Sequence, residues 1–311
     1  MKMCLTTLPP ILLLLPLLTQ AAPCHTPGPA ADRVPFQTIR GLPMIAVCIN
    51  DQGPFAFLVD TGTESTMVDV RLADQLRLTM IDRVRLVTPQ GSHPVGRSIA
   101  TTVTMGPKTV GSVELLVDRL DDLHALKPDV RGILGQNFIA HFEFALDFRH
   151  RRIEFHQEGD LASARIPFEL RGGRMLVAAR VEAGSKFLAN RPQDREQEFN
   201  HRGVRNIHLQ LDSGSTHLLL FDSGVWAFAG CRDDQEQRGL LTTHGNKHMV
   251  KMICIGAMQI GPILIHDVPA GLALPAGSPL DPEVDGLLPA SFFDRVYFNF
   301  SEGYIAVSPV R

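Results

Sequence analysis

The chain has 311 residues, long enough for two domains or two lobes. Hydrophobic residues make up 44% of it and charged residues 20%, a composition that excludes global disorder. The formal net charge is −3 and the sequence contains no strongly basic patch, so no nucleic-acid partner is expected. The 26 glycines and 22 prolines, with few long amphipathic stretches, favour a turn-rich β protein.

The N-terminus has the pattern of an export signal. Lys2 precedes an almost pure leucine run that is too short to span a bilayer, and small residues before Ala22 indicate a cleavage site. Cys24 follows Pro23, which a lipidation signal would not normally carry, so export is favoured over lipid anchoring. We therefore expect a periplasmic or secreted protein without a stable membrane span, with residues 1–21 as signal peptide and 22–36 as a flexible mature N-terminus.

Four cysteines remain after the signal peptide: Cys24, Cys48, Cys231 and Cys254. An exported chain permits disulfides, and Cys231 and Cys254 could bridge because both lie in the second half. Cys48 lies in an apolar strand and is interpreted as a buried free thiol. The spacings match no zinc pattern, so no metal or other cofactor is expected.

In chain order, the first half predicts a series of short strands separated by turn residues. Asp69 is placed to cap a short helix through Leu76, and a second short helix is expected around 137–141. The segment 88–94 is predicted to form a hairpin tip. The expected strands cover residues 44–49, 55–60, 67–68, 84–87, 98–105, 110–117, 142–148 and 152–155.

The second half repeats this order. Asp60-Thr61-Gly62 recurs as Asp212-Ser213-Gly214, 152 positions later, and Gly132-Ile133-Leu134-Gly135 recurs as Gly286-Leu287-Leu288-Pro289. Residues 183–206 are an insertion, polar enough to be a surface loop. The repeat predicts an all-β protein with two pseudo-twofold-related, barrel-like lobes and a few short helices, the N-terminal lobe over 37–160 and the C-terminal lobe over 161–311.

Two carboxylates brought together by such symmetry share one proton and titrate as a pair. One then serves as general base and the other as general acid, so that a water can attack an amide carbonyl. This chemistry requires no covalent intermediate and no metal. Asp60 and Asp212 are the candidate pair, and glycine at 62 and 214 lets the two backbones approach closely.

These paired motifs, each with a downstream apolar-apolar element, resemble those of two-lobed aspartic peptidases of the pepsin and retropepsin superfamily, over residues 38–309. The resemblance implies that Asp60 and Asp212 form the catalytic dyad. It also implies support from the residues around them and a substrate-covering flap. The support residues would be Thr61, Gly62, Thr63, Ser213, Gly214 and Ser215, with Thr63 and Ser215 bonded to the carboxylates. The flap would comprise Thr88, Pro89, Gln90, Gly91 and Ser92.

The sequence departs from the family pattern in two places. The only tyrosines are Tyr297 and Tyr304, so the flap lacks the pepsin-type tyrosine. Pro289 stands where glycine is expected, which puts the local turn geometry in question. A third acid-hydroxyl-glycine triplet begins at Asp222 and is interpreted as a helix N-cap, and His93, His244 and His248 as loop histidines exposed to solvent.

The sequence thus predicts a monomeric aspartic endopeptidase that acts on peptides or unfolded proteins. The alternative is a catalytically silent protein of the same fold that binds a peptide, glycan or protein in the cleft between the lobes.

Overall fold

A computed structural model describes residue 24 and residues 32–88, 91–156, 164–182, 204–221, 238–243, 246–272 and 283–308. For residues 88, 91, 238–243 and 246–251 it describes the backbone alone. The described chain is built mostly from β-strands with a few short helices, which confirms the predicted class.

The N-terminal lobe is a closed six-stranded barrel. Its strand order is β3-β4-β9-β5-β8-β7, and pairing of β3 with β7 closes the ring, while β2 and β6 extend it at the edges. The strands are β2 (Gln37–Ile39), β3 (Leu42–Ile49), β4 (Gln52–Val59), β5 (Thr66–Asp69), β6 (Asp82–Thr88), β7 (Gly91–Met105), β8 (Lys108–Asp118) and β9 (Val130–Leu134).

Both faces of the C-terminal end of β4 are buried because the barrel interior lies on one side and a second apolar cluster on the other. Phe57 and Val59 pack in the main core, whereas Leu58 packs with Met67 and Ile133. This explains the continuous apolar run before Asp60. Three short helices join the strands: α1 (Val70–Gln75), α2 (Asp121–Leu126) and α3 (Gln136–Ile139).

The C-terminal lobe repeats this barrel strand for strand. Its ring order is β13-β14-β19-β15-β18-β17, closed by pairing of β13 with β17, and β16 extends β17 as β6 extends β7. A 3-10 helix at Ala290–Phe292 takes the place of α3. The strands are β13 (Arg174–Glu182), β14 (Val204–Asp212), β15 (Leu219–Leu220), β16 (Arg238–Thr243), β17 (Asn246–Ile260), β18 (Ile263–Leu272) and β19 (Gly286–Pro289).

A six-stranded sheet joins the two lobes, with three strands from each half. Its order is β1-β11-β10-β20-β21-β12, and the halves meet where β10 pairs antiparallel with β20. At this junction the rings of Phe144 and Phe298 stack with centroids 4.9 Å apart. The strands are β1 (Arg33–Pro35), β10 (Phe144–Asp147), β11 (Arg152–Phe155), β12 (Ala164–Arg171), β20 (Arg295–Asn299) and β21 (Tyr304–Val307).

Several local predictions can be compared with this fold. The cap at Asp69 is confirmed, since its side chain accepts from the backbone N–H of Arg71 at the start of α1. The insertion was predicted too long, because β14 already begins at Val204. Residues 183–203 lie outside the described residues, as does Asp222.

The interpretation of Cys48 as a free thiol is wrong. Cys48 is buried, as expected, but it forms a disulfide with Cys24, whose Cα lies 5.8 Å away. Because the two cysteines are 24 residues apart, the sequence carries no local signal for this pairing. Cys254 is also disulfide-bonded; Cys231 lies outside the described residues. Within the described part of the chain, every helix is too short or too polar to cross a membrane.

Candidate active site

Each lobe carries one acid at the C-terminal end of an equivalent strand. Asp60 follows β4 and Asp212 ends β14, and both side chains are fully buried. In each turn the backbone N–H two residues later donates to the carboxylate: Gly62 N to Asp60 Oδ1 at 2.8 Å, and Gly214 N to Asp212 Oδ1 at 2.7 Å. These backbone bonds help to orient both carboxylates in the same way.

Reciprocal hydrogen bonds hold the two turns together across the lobe boundary. The backbone N–H of Thr61 donates to the hydroxyl of Ser213, and the N–H of Ser213 donates to the hydroxyl of Thr61, both at 3.0 Å. Each hydroxyl in turn donates to a carbonyl of the opposite strand, Thr61 to Leu211 at 3.1 Å and Ser213 to Val59 at 2.7 Å. The four bonds form a symmetric clamp between the lobes.

The glycines of both turns lie directly against the opposite acid. A Cβ added at Gly62 would lie 2.7 Å from Cγ of Asp212, and one added at Gly214 would lie 2.7 Å from Cγ of Asp60. Real Cβ atoms do not approach other atoms so closely. The structure therefore brings the two predicted acids together at the junction of the lobes, each packed on the other's turn.

The hydroxyls three residues after the acids differ between the copies. Thr63 donates to Asp60 Oδ2 at 3.1 Å, as the resemblance implied. Ser215 instead donates to the backbone carbonyl of His217 at 3.0 Å. A hydroxyl carries one proton, so in this arrangement Ser215 cannot also donate to Asp212. The carboxylate bond expected of Ser215 is therefore absent from the structure.

The first turn is reinforced by residues just after β9. The amide oxygen of Asn137 accepts from the backbone N–H and the hydroxyl of Thr66, and Gly135 N donates to that same hydroxyl at 3.2 Å. The carboxamide of Gln136 donates to the carbonyl of Thr61 at 2.6 Å. By position in the repeat, the second copy has Leu218, Pro289, Ala290 and Ser291 at these places. It therefore cannot build the same network.

Pro289 does not disrupt the second copy. β19 pairs in parallel with β14 up to Asp212 opposite Pro289, and a helical turn follows as in the first lobe. Gly135 has a φ of −95°, and Pro289 has a φ of −66°. The backbone at this point is extended with negative φ, a conformation that proline adopts readily.

The hairpin of β6 and β7 borders a cleft of about 900 Å³ beside the acid-bearing turns. Of the predicted flap residues, Thr88 and Gly91 pair at the end of the hairpin. Ser92 lines the cleft, and its hydroxyl accepts a hydrogen bond from Arg85 at 2.9 Å. Pro89 and Gln90 lie outside the described residues. The N-terminal lobe contributes Gly62, Thr63, Glu64, Leu86, His93, Leu116 and Asp118 among others, and the C-terminal lobe Arg174, Gln210, Phe221 and Leu287.

Two side-chain contacts hold this hairpin, one at its base and one nearer its tip. Arg97 on β7 binds Asp82 at the start of β6 through two hydrogen bonds, and its guanidinium holds the pKa of Asp82 below its usual value. His93 lies 2.7 Å from Asp118 at the end of β8. His93 is thus half-exposed but paired, whereas His244 lies outside the described residues and the side chain of His248 is not described.

Sequence reasoning missed two glutamines that contact the first turn. Gln136 binds the carbonyl of Thr61, and Gln210 binds the carbonyl of Gly62 at 2.6 Å from the opposite lobe. For Gln210 a signal existed. The second copy reads Leu-Gln-Leu-Asp where the first reads Phe-Leu-Val-Asp, so a polar residue interrupts an apolar run.

Comparisons with known proteins agree with the resemblance over the first lobe. Residues 45–138 match the family model of the aspartyl proteases, a region that includes Asp60 and the hairpin. The chain is thus similar to aspartic peptidases of the retropepsin and pepsin type, as the motifs predicted. No curated protein matches the chain.

Among solved structures, a retropepsin-like aspartic protease from Rickettsia conorii is similar at 18% sequence identity. The match covers 35% of this chain and 78% of that chain, with a TM-score of 0.27. At this level of similarity, the architecture of the present chain is established by its own strand pairing.

Proposed function

We propose that the protein is an aspartic endopeptidase in which Asp60 and Asp212 activate a water for attack on a peptide bond. The observation that carries this proposal is the reciprocal clamp of Thr61 and Ser213, which packs each acid against the opposite turn. The match of residues 45–138 to the aspartyl proteases supports the same class of chemistry.

In the proposed reaction the pair holds one proton between two buried carboxyls. The ionised carboxylate takes a proton from the attacking water, and the protonated carboxyl gives its proton to the carbonyl oxygen of the scissile amide. The tetrahedral intermediate then collapses with proton transfer to the leaving amine. The backbone N–H groups of Gly62 and Gly214 hold the two carboxyls during these transfers.

Asp60→Asn and Asp212→Asn should each reduce cleavage of reduced, unfolded casein at pH 4–6 to background, because either change removes a carboxyl from the shared pair. The matched control is Asp121→Asn, since Asp121 is an exposed acid that is not among the residues lining the cleft. Cleavage is measured by release of acid-soluble peptides. Full residual activity in either variant would contradict the assignment.

The dependence of kcat/KM on pH should be bell-shaped, because the reaction needs one carboxyl ionised and its neighbour protonated. Activity should fall at low pH as the base is protonated, and at higher pH as the acid loses its proton. A profile that rises to a plateau above neutrality would contradict a shared-proton mechanism.

We further propose that the protein is exported and acts as a monomer on peptides or unfolded proteins. The disulfide between Cys24 and Cys48 supports export, because such bonds persist in oxidising compartments. One chain supplies both acids, which supports a monomer. Fractionation of cells that express the full chain, with N-terminal sequencing of the product, tests export and cleavage before Ala22.

The alternative is a silent protein of this fold that uses the cleft only for binding. The intact hydroxyls at Thr61, Thr63 and Ser213 and their bonds favour an active site. A peptide-library digest across pH separates the two functions. Saturable binding without cleavage at any pH would favour the silent protein.

A further inference from the structure

Gln210 is a polar residue between Leu209 and Leu211, near the C-terminal end of β14. It lies on β14 two residues before Asp212, is 6% exposed, and lines the cleft together with Gly62 and Leu287. Its neighbours Leu209 and Leu211 are fully buried in the core. Because a carboxamide in such surroundings is unfavourable unless it is hydrogen-bonded, its partners indicate its role.

The orientation of the carboxamide follows from its partner. The Gly62 carbonyl oxygen can only accept a hydrogen bond, so the atom 2.6 Å from it must be the amide nitrogen Nε2. The oxygen Oε1 is therefore the other atom. Among the residues that the structure describes, no group donates to Oε1. Gln210 lines the cleft, so this acceptor belongs to a cleft-lining side chain.

Comparison of the two lobes shows that only the C-terminal lobe has this acceptor at this position of the repeat. By position in the repeat, the counterpart of Gln210 is Leu58, which packs in an apolar cluster with Met67 and Ile133. Leu58 offers no polar atom, and the fold tolerates it at the same place in β4. A structural need of the strand therefore does not explain the glutamine at 210.

We propose that Oε1 of Gln210 accepts a hydrogen bond from a backbone N–H of a peptide bound beside the Gly62 turn. In the same residue, Nε2 holds the carbonyl of Gly62, so one side chain couples the position of the peptide to the position of the Asp60 turn. The ligand class is an extended peptide, whose main-chain amides are donors of the required geometry. The inference rests on the cleft as the peptide site of the proposed function.

The test is a scan of N-methylated peptides. Fluorescein-labelled peptides that cover β-casein are ranked by binding in fluorescence polarisation and by cleavage, and the best one is then N-methylated at one backbone position at a time. Binding and cleavage of each derivative are compared for the wild type, Gln210→Leu and Gln210→Glu. Gln259→Leu is the matched control, because the carboxamide of Gln259 also donates to a glycine carbonyl but is exposed and on a distant strand, β17.

We expect one position at which N-methylation weakens binding to the wild type and to Gln259→Leu by about 3- to 10-fold more than to Gln210→Leu. Gln210→Glu keeps an acceptor oxygen but loses the donor to Gly62. It should therefore keep the sensitivity of binding to N-methylation while kcat falls. Thermal unfolding of each variant checks that the fold is retained.

Equal N-methylation penalties in the wild type and Gln210→Leu at every position would overturn the proposal for Gln210, even with full peptidase activity. Absence of cleavage with saturable binding would instead overturn the endopeptidase function, and the polarisation data would still decide the role of Gln210. Absence of both binding and cleavage would overturn both proposals.

Discussion

The distance between the two acids depends on single residues that carry no charge. Gly62 and Gly214 leave no atom between each turn and the carboxyl of the opposite lobe. The hydroxyls of Thr61 and Ser213 then fix the separation through bonds to backbone groups that cannot move independently of the strands. At this scale the site depends on the absence of a side chain at two positions and on the presence of two hydroxyl groups.

Gly62→Ala should reduce kcat/KM by about 100-fold or more, because its Cβ would displace the Asp212 carboxyl and misplaced reacting groups lose this much rate. Gly111→Ala is the control, since a Cβ there would meet only Thr101 O, at 3.6 Å. Steady-state kinetics on the best casein peptide measure the effect. Wild-type kinetics in Gly62→Ala would show that the turns are not packed as described.

Ser213→Ala should lower the free energy of unfolding by about 1–3 kcal/mol, because it leaves the buried N–H of Thr61 and carbonyl of Val59 without their bonds to Ser213. Ser213→Thr restores the hydroxyl and copies the first turn, so it should recover stability and activity. Urea denaturation measures the difference. An unchanged midpoint in Ser213→Ala would argue against the clamp.

At the scale of single elements, the short helix α1 shows which features can be predicted from residues that are close in sequence. Asp69 begins it by accepting from Arg71 N, and the side chains of Leu72 and Ala73 are buried. Asp69 could be identified from sequence because capping involves residues two positions apart. The network behind the turn could not, because Thr66 and Asn137 are 71 positions apart and meet only in the folded barrel.

Asp69→Ala should destabilise the protein by about 1 kcal/mol through loss of the cap. Asp69→Asn keeps a capping oxygen and should recover most of the loss, whereas Asp74→Ala on the exposed face of α1 should have little effect. Thermal unfolding of the three variants gives the comparison. Equal stability of Asp69→Ala and the wild type would contradict the cap.

For the molecule as a whole, the internal repeat predicted most of the architecture. The repeat of the Asp60 motif at Asp212 predicts two equivalent lobes, and the closed barrels of the two lobes match strand for strand. The partner of Cys48 could not be predicted, because a pairing 24 residues away depends on where the N-terminal segment returns to the barrel. The contact of Gln210 with the Gly62 turn could not be predicted either, because it depends on how the two lobes are placed relative to each other.

The Cys24–Cys48 disulfide attaches the N-terminal segment to β3. Its replacement in Cys24→Ala/Cys48→Ala should lower the free energy of unfolding by about 3 kcal/mol, as expected for a loop of this size. Both residues lie away from the acid turns, so activity at 25 °C should be retained. Equilibrium unfolding in guanidinium measures the loss, and an unchanged midpoint would show that the bond contributes nothing to stability.

The shared sheet has a consequence for the isolated halves. β10 and β20 meet antiparallel across the pseudo-twofold axis, with Phe144 opposite Phe298 and Leu146 opposite Val296. A fragment that ends after β11 would leave the edge of β10 open, and an antiparallel edge is complementary to a second copy of itself. Two such fragments would associate through β10 and place two Asp60 turns face to face. We therefore expect the N-terminal fragment to form a symmetric homodimer. Light scattering of the fragment with and without Leu146→Lys measures its mass and tests this.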